Sequence, residues 1–460
     1  MNSENKIINK IYSQKAEAVF AELYGSDKIK LAQQRYATLL EEMLACDKAE
    51  NTGSSSSFEE KDLRFFSAPG RTELGGNHTD HNCGKVLAAA IHLDTIAVVK
   101  KRNDNTILFR SRGYPDAKIN LMENNKPAIS PLSHEKGKTE ALIRGIAAEM
   151  RKHGVDVNGF TAMVDSNVLP GSGLSSSAAV EVLIGRIFDC LFGSGTMNTQ
   201  KIASIGQIAE NEFFGKPCGL MDQTACASGG VVAIDFGRIS GETGFPQIKN
   251  VNLNLSDTGY ALCVVNTGGN HADLTLDYSG IPAEMKAAAA FYRKKTLGEL
   301  NRETLLSDAV NLKKIIGDRA LLRSLHFFDE NDRVDEMTFA LEEMNQAAGE
   351  QGKLNAFSRF LELVNESGDS SWQLLQNVYS PQNVKEQGIS TALALTKNFI
   401  KHNKVTGACR VHGGGFAGTI QVYIPADTLR SYRGVIEKVF GTNSLTPLRI
   451  RQQGAVELDL

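Results

Sequence analysis

Apolar side chains recur at intervals of three and four between residues 9 and 46: Val19, Phe20 and Leu23, then Leu31, Tyr36, Leu39, Leu40 and Met43. That spacing lines one face of a helix, and the interruption at Tyr24-Gly25-Ser26 predicts two helices in place of one. The pattern then stops. Residues 51–57 read Asn-Thr-Gly-Ser-Ser-Ser-Ser, a linker composition with too little apolar surface to pack. The main body is expected to begin near Leu63.

Beyond that point short β-like runs alternate with longer helical ones. Ile96–Val99, Ile107–Phe109, Phe160–Val164 and Val231–Asp235 predict strands, and Lys138–Lys152 and Ala178–Leu191 predict helices. A strand at Tyr260–Asn266 opens a second half, in which helical runs extend from Ile281 to Phe399. A glycine cluster and a strand at Thr419–Ile424 follow, and no repeat of fixed period is present. The expected class is mixed α/β (α+β). Its expected parts are a helical extension with a serine-rich linker over 1–60, an α/β domain over 61–255 and a second domain over 256–460.

Composition narrows the classes. At 460 residues and about 150 residues per domain, two or three domains with a sizeable core are expected. A net charge of −3 excludes a wholesale nucleic-acid coat, so an anionic substrate must meet positive potential arranged locally. The longest apolar stretch, around Val86 to Val99, is interrupted by His92 and Asp94, and the first residues lack a signal-peptide core. No membrane partner is expected. Seven cysteines without a Cys-x-x-Cys pair write neither a disulfide framework nor a zinc site, so reduced thiols in a cytoplasm are expected.

Four motifs carry candidate chemistry. The first, Leu169-Pro-Gly-Ser-Gly-Leu-Ser-Ser-Ser-Ala-Ala179, lies between an extended run and a long apolar helix. Around Gly171, Ser172 and Gly173 backbone amides can turn toward an anion, and the helix start adds unpaired N–H groups and about half a positive charge. Ser175, Ser176 and Ser177 can cap the helix, donate to phosphate or ligate Mg²⁺. Taken alone, the motif reads first as an ordinary Gly/Ser helix start. It is no Walker A loop, because no Lys-Ser or Lys-Thr follows, and Ser176 replaces the third glycine of a dinucleotide fingerprint. The second motif, Ala68 to Asn82, crowds Arg71, Glu73, His78 and Asp80 among glycines ahead of an apolar run, which marks either a ligand-facing segment or a solvated turn. The third, Glu210 with Lys216-Pro-Cys-Gly-Leu-Met-Asp222, brings an acid to the mouth of a helix, where Asp222 taken singly reads first as a cap. The fourth, Val411-His-Gly-Gly-Gly-Phe-Ala-Gly418, is by itself a turn with close backbone approach.

In this order and spacing the four motifs resemble those of the sugar and metabolite kinase superfamily that includes galactokinase, homoserine kinase, mevalonate kinase and phosphomevalonate kinase. Residues 69–82 are similar to its galactokinase signature, Pro-Gly-Arg-x-Asn-Leu-Ile-Gly-Glu-His-Thr-Asp-Tyr-Asn, and the likeness extends over residues 66–423. The resemblance implies an N-terminal S5-like α/β domain and a C-terminal ferredoxin-like domain with added helices. It implies transfer of phosphate from ATP, with Mg²⁺, to the C1 hydroxyl of a monosaccharide, galactose first. It further implies that Asp222 faces the anomeric hydroxyl and that Arg71 lies between sugar and phosphate. Glu210 and Ser177 would hold the metal, and His78, Asp80, Gly219 and Tyr278 would line the sugar pocket. Gly171 to Ser177 and Gly414 would line the nucleotide. A monomer or weak homodimer is expected.

Departures from the signature bear on the substrate. Asn77 stands where the signature has Glu, Glu73 where it has Asn, and His81 where it has Tyr. A carboxylate accepting from a sugar hydroxyl contributes about 1.5–3 kcal/mol. Either Glu73 substitutes for it, or the pocket takes a different group at that corner. The rivals are therefore a kinase for N-acetylgalactosamine, arabinose or a uronic acid, and a non-catalytic sugar sensor. Cys218 reads as a packing residue, His134, His153, His326 and His402 as scattered, and the single tryptophan, Trp372, as packing for the C-terminal helices.

Overall fold

The computed structural model describes residues 3–50, 63–123, 126–169, 171–240, 244–269 and 274–460. The serine-rich stretch, Pro170 and His271 lie outside the described residues.

The first described strand of the body, Leu63–Gly75, is one the sequence pattern did not predict. Leu63–Gly75 is buried along nearly its whole length and pairs antiparallel with the long strand Lys85–Lys101. Pro69, Gly70 and Gly75 argue for a turn locally. Register shifts between Pro69 and Arg71 and between Glu73 and Gly75 absorb those residues, as β-bulges do while re-aiming side chains. The long strand then splits the sheet. Its first half pairs with Val231–Ser240 and its second with Phe160–Ser166.

Side-chain alternation gives this sheet two covered faces. Phe66, Ala97 and Val99 face the helices Thr139–Lys152 and Ser176–Phe192, meeting Ile143, Ile146, Val182 and Ile187. Phe65, Ile96 and Val98 face the other way, onto Phe20, Tyr36, Leu39 and Leu40 of the N-terminal extension. Among its described residues that extension forms three α-helices, not the expected two: the break at Gly25 is present, and a second at Tyr12-Ser13 separates Ser3–Ile11 from Gln14–Tyr24. Ser13 caps the latter by accepting from Ala16 N at 3.1 Å. Under these helices Asp94, fully buried, accepts from Tyr24 and Ser67, each at 2.6 Å, and from Arg35 at 2.8 Å.

The second sheet has the order Ala408–His412, Thr419–Pro425, Tyr260–Asn266, Leu445–Leu448, all antiparallel. With helices in the first and third connections this is the β-α-β-β-α-β arrangement of a ferredoxin-like domain, and the fold class is the one expected. The helices Gly388–Asn403 and Leu429–Phe440 cover one face, and Asp318–Gln346 and Glu350–Ser370 the other. The last strand leaves this domain. Val456–Leu458 pairs with the strand that begins at Leu63, so a division at residue 256 does not describe the tail. Trp372 is 42% exposed on the π-helical turn Ser371–Leu375, which corrects its reading as a packing residue.

Candidate active site

The strand Leu63–Gly75 is laid directly against the glycine cradle. Arg71 N donates to Leu174 O at 3.0 Å, and a Cβ at Gly70 would sit 2.7 Å from that same carbonyl. The bulge before Arg71 sends its guanidinium to Asp222. Nε and Nη2 both donate to Oδ1, at 2.9 and 2.7 Å, while Nη1 donates to Gly173 O. The other carboxylate oxygen accepts from Ser175 Oγ. Asp222 opens the helix Met221–Ser228 but does not cap it, since Leu220 is the N-cap. Its side chain is 32% exposed and that of Arg71 6%, so the acid is reachable and its partner enclosed. Burial pushes the Asp222 carboxyl up, but the Arg71 charge and the Ser175 hydrogen bond outweigh it and hold the group below the usual carboxylate range.

In the cradle, Gly171, Gly173 and Ser175 have φ of 72°, 71° and 60°, the left-handed region that favours glycine. Ser175 adopts it at the N-cap position of Ser176–Phe192 without capping the helix, its hydroxyl being turned to Asp222 instead. Ser172 is buried and donates to Leu169 O at 2.5 Å, so its hydroxyl proton is held inside the loop. Ser176 and Ser177, half-buried, stand at the helix mouth, where the first N–H groups have no intrahelical partner.

Glu210 lies behind Asp222 on the π-helical turn Ala209–Phe214, a distortion common at functional sites. One oxygen accepts from Lys216 Nζ at 3.0 Å, the other from Gln223 Nε2 at 3.1 Å. Gln223 Nε2 also donates to Glu181 Oε2 at 2.9 Å. Glu181 is fully buried, its Oε1 has no partner, and burial with the nearby Glu210 charge raises its pKa well above the ordinary range. Sequence reading missed Glu181 and Gln223. A charge inside the apolar run Ala178–Leu191 is the signal that pointed to the first. Cys218 is half-buried and burial raises its thiol pKa, as an inert packing thiol requires. None of the seven cysteines forms a disulfide.

Among the described residues no group of three or more His, Cys, Asp or Glu could hold a metal ion. A carboxylate and a hydroxyl, Glu210 and Ser177, nevertheless suit Mg²⁺, which takes one or two protein ligands and completes its shell with phosphate and water. The Lys216 side chain on Glu210 is 61% exposed and free to give way.

The signature loop and the third glycine motif close the opposite side. His78, at φ 60°, donates from Nε2 to Gly414 O at 3.0 Å, and burial lowers its pKa to about 3, keeping the ring neutral. Tyr278 OH donates to Gly415 O at 3.0 Å, and a Cβ at Gly414 would strike its ring. The Asp80 carboxylate lies on the backbone of Gly219, where a Cβ would be 1.9 Å from Oδ2. Glu73 and Asn77, expected on the sugar side, are turned largely into the protein. They are 3% and 1% exposed, and Asn77 Nδ2 donates to Glu73 Oε1 at 3.0 Å, with Glu73 further paired to buried Arg410. Glu73 Oε1 and both ends of the Asn77 amide are bonded within the protein. His326, read as scattered, is buried between Ser370 Oγ at 2.8 Å and Asn77 O at 2.9 Å.

Two family models match the chain: the GHMP kinases N terminal domain over residues 141–230 and the galactokinase galactose-binding signature over residues 55–101. The galactokinase of Clostridium tetani is 30% identical over 313 residues, which is 66% of this chain and 74% of that protein. The crystal structure of Lactococcus lactis galactokinase complexed with galactose superposes with a TM-score of 0.71 at 23% identity, covering 91% of this chain and 100% of that one. For the Methanococcus jannaschii mevalonate kinase the TM-score is 0.55 at 12% identity, covering 84% and 98%. At such identities the two structures speak for the fold.

Proposed function

This chain belongs to the galactokinase family of the GHMP kinases, a group of alcohol-acceptor phosphotransferases, and from that premise we propose that it moves the γ-phosphoryl of ATP to the C1 hydroxyl of a monosaccharide, galactose being the first candidate. The observation that carries this reading is the convergence of Arg71, Asp222 and Ser175 at the mouth of one helix. A cation, a general base and a phosphate cradle are what the reaction needs in one place.

Phosphoryl transfer passes through a loose transition state, so the protein contributes chiefly position and electrostatic stabilisation. The N–H groups at Ser176 and Ser177 and the glycine amides of the cradle receive the β- and γ-phosphates. Asp222, kept ionised by Arg71, takes the anomeric proton or aligns the hydroxyl for attack. The Arg71 guanidinium, charged at any working pH, lies between that acid and the cradle carbonyl of Gly173, where it neutralises charge on the moving group. Glu210 and Ser177 would hold Mg²⁺, which screens the phosphate charge when bound. His78, Asp80, Gly219 and Tyr278 line the sugar side.

One observation favours a second reading within the same chemistry. The amide of Asn77, where the signature has a carboxylate, is fully engaged inside the protein, so a sugar differing from galactose at that corner is the alternative: N-acetylgalactosamine, arabinose or a uronic acid. A coupled assay of ADP release over these four sugars tests the proposal. Turnover with galactose supports it, turnover with another sugar alone supports the alternative, and release with none refutes both. A purely sugar-sensing protein is disfavoured by an intact Asp222, Glu210 and cradle.

A further inference from the structure

The carbonyls of three successive glycines are held by side chains that arrive from distant parts of the chain. Gly413 O accepts from Asn77 Nδ2 at 2.7 Å, Gly414 O from His78 Nε2 at 3.0 Å and Asn377 Nδ2 at 3.2 Å, and Gly415 O from Tyr278 OH at 3.0 Å. Asn77 is itself fixed on every side. Its Oδ1 accepts from Asn377 Nδ2 at 2.8 Å, its Nδ2 donates to Glu73, and its carbonyl meets His326 at 2.9 Å. Glu73 is anchored in turn by Arg410, fully buried on the strand Ala408–His412 that runs into the glycines. Asn377 is fully buried and packs so tightly on Gly415 that a Cβ there would sit 2.1 Å from its carbonyl oxygen.

With the carbonyls taken, the N–H groups of Gly413 and Gly414 have no protein partner among the described residues. Gly413 lies against Gly173, 3.5 Å from an ideal Cβ position to its Cα, so this loop faces the phosphate cradle across a narrow gap. Building on the kinase reading above, we infer that Asn77 and Asn377, backed by Glu73 and Arg410, form a positioning clamp that fixes the Gly413–Gly415 peptides to receive an anionic oxygen of the nucleotide, and that none of the four touches the sugar. The physical need is plain. Three adjacent glycines have more backbone freedom than any other triplet, and a ligand that must order them binds more weakly by that entropy. Orienting the carbonyls beforehand removes the penalty. The exchange of Asn and Glu between positions 73 and 77 then concerns the clamp, because the two side chains bond each other.

The test is Asn377→Ala, with Asn377→Ser as a milder variant should the first fail to fold, each checked by its thermal midpoint. Asn377 lies outside the signature, so it separates a clamp from a sugar ligand. Calorimetric titration with ADP is expected to show at least tenfold weaker binding, while affinity for galactose, or for the panel sugar that replaces it, stays within threefold. Unchanged ADP affinity in a folded variant overturns the inference, as does sugar affinity falling in step with that for ADP. Wild-type protein that binds no ADP refutes the kinase reading itself, a result distinct from any failure of the variants.

Discussion

Arg71 and Asp222 meet through a fork in which two guanidinium nitrogens close on a single carboxylate oxygen, Nε at 2.9 Å and Nη2 at 2.7 Å. The second oxygen is left to Ser175 and to whatever enters from solvent. Asp222→Asn keeps the shape and loses the basic, charged form, so kcat is expected to fall by about 10²–10⁴. The enclosed Arg71 loses its charged partner, so the unfolding midpoint is expected to fall as well while the protein stays folded at the assay temperature. Steady-state kinetics beside thermal unfolding checks this; near-normal kcat in a folded Asp222→Asn protein removes the base role.

Lys216 occupies Glu210 as a cation would, at 3.0 Å. Glu210→Gln is expected to raise the Mg²⁺ concentration for half-maximal activity at least tenfold. Lys216→Met, which deletes a competing cation, is expected to lower it. Because the lysine is mostly exposed, its pairing contributes at most about 1 kcal/mol, so that second change should be no more than about fivefold. A magnesium titration on the three proteins decides, and coincident curves contradict the assignment of Glu210.

Glu73 and Asn77 form a buried pair of one carboxylate and one amide 3.0 Å apart. Glu73→Asn alone strands the fully buried Arg410, a loss of about 3–5 kcal/mol, and Asn77→Glu alone sets two carboxylates side by side. The double exchange keeps one of each. Urea unfolding of the four proteins is expected to show the double variant more stable than the sum of the singles implies, by about 1–3 kcal/mol; additive effects contradict the pairing.

Burial lowers the pKa of His92 to about 4 and that of His78 to about 3, and also depresses His326 and His412. The unfolded chain, with histidine near pH 6.5, then binds more protons than the folded one, so stability rises with pH through this window and is lost on acidification below about pH 6.5. Each histidine contributes up to about 1.4 kcal/mol per pH unit. His92, outside the site, accepts from Arg449 N at 3.2 Å, a role glutamine can fill. His92→Gln should flatten the loss between pH 6.5 and 5, measured by denaturant unfolding, and an unchanged slope contradicts it.

Much of this arrangement was legible in the sequence, and the parts that were not share a cause. Periodicity located Tyr260–Asn266 and the helix at Lys138–Lys152 because one face of each is apolar for its whole length. It missed Leu63–Gly75 because Pro69 and the glycines signal a turn, and only long-range pairing with bulges overrides them. Motif order found Arg71, Asp222, Glu210 and the cradle, whose chemistry depends on residue type. It misplaced Glu73 and Asn77, whose side chains point inward for reasons that reside in Arg410 and Asn377, more than 300 positions away for the first partner of Glu73. The N-terminal helices, outside any resemblance, proved to cover a sheet face through Phe20 and Tyr36 and to bring Arg35 to buried Asp94. No local pattern announces such a partnership.

The central claim is that the phosphoryl group lands on an anomeric oxygen beside Asp222. Phosphorus NMR of the product formed from galactose, ATP and Mg²⁺ tests it most directly. A sugar phosphate coupled to the anomeric proton, absent with Asp222→Asn, is the predicted result; phosphate on another carbon, or release of inorganic phosphate alone, contradicts the account.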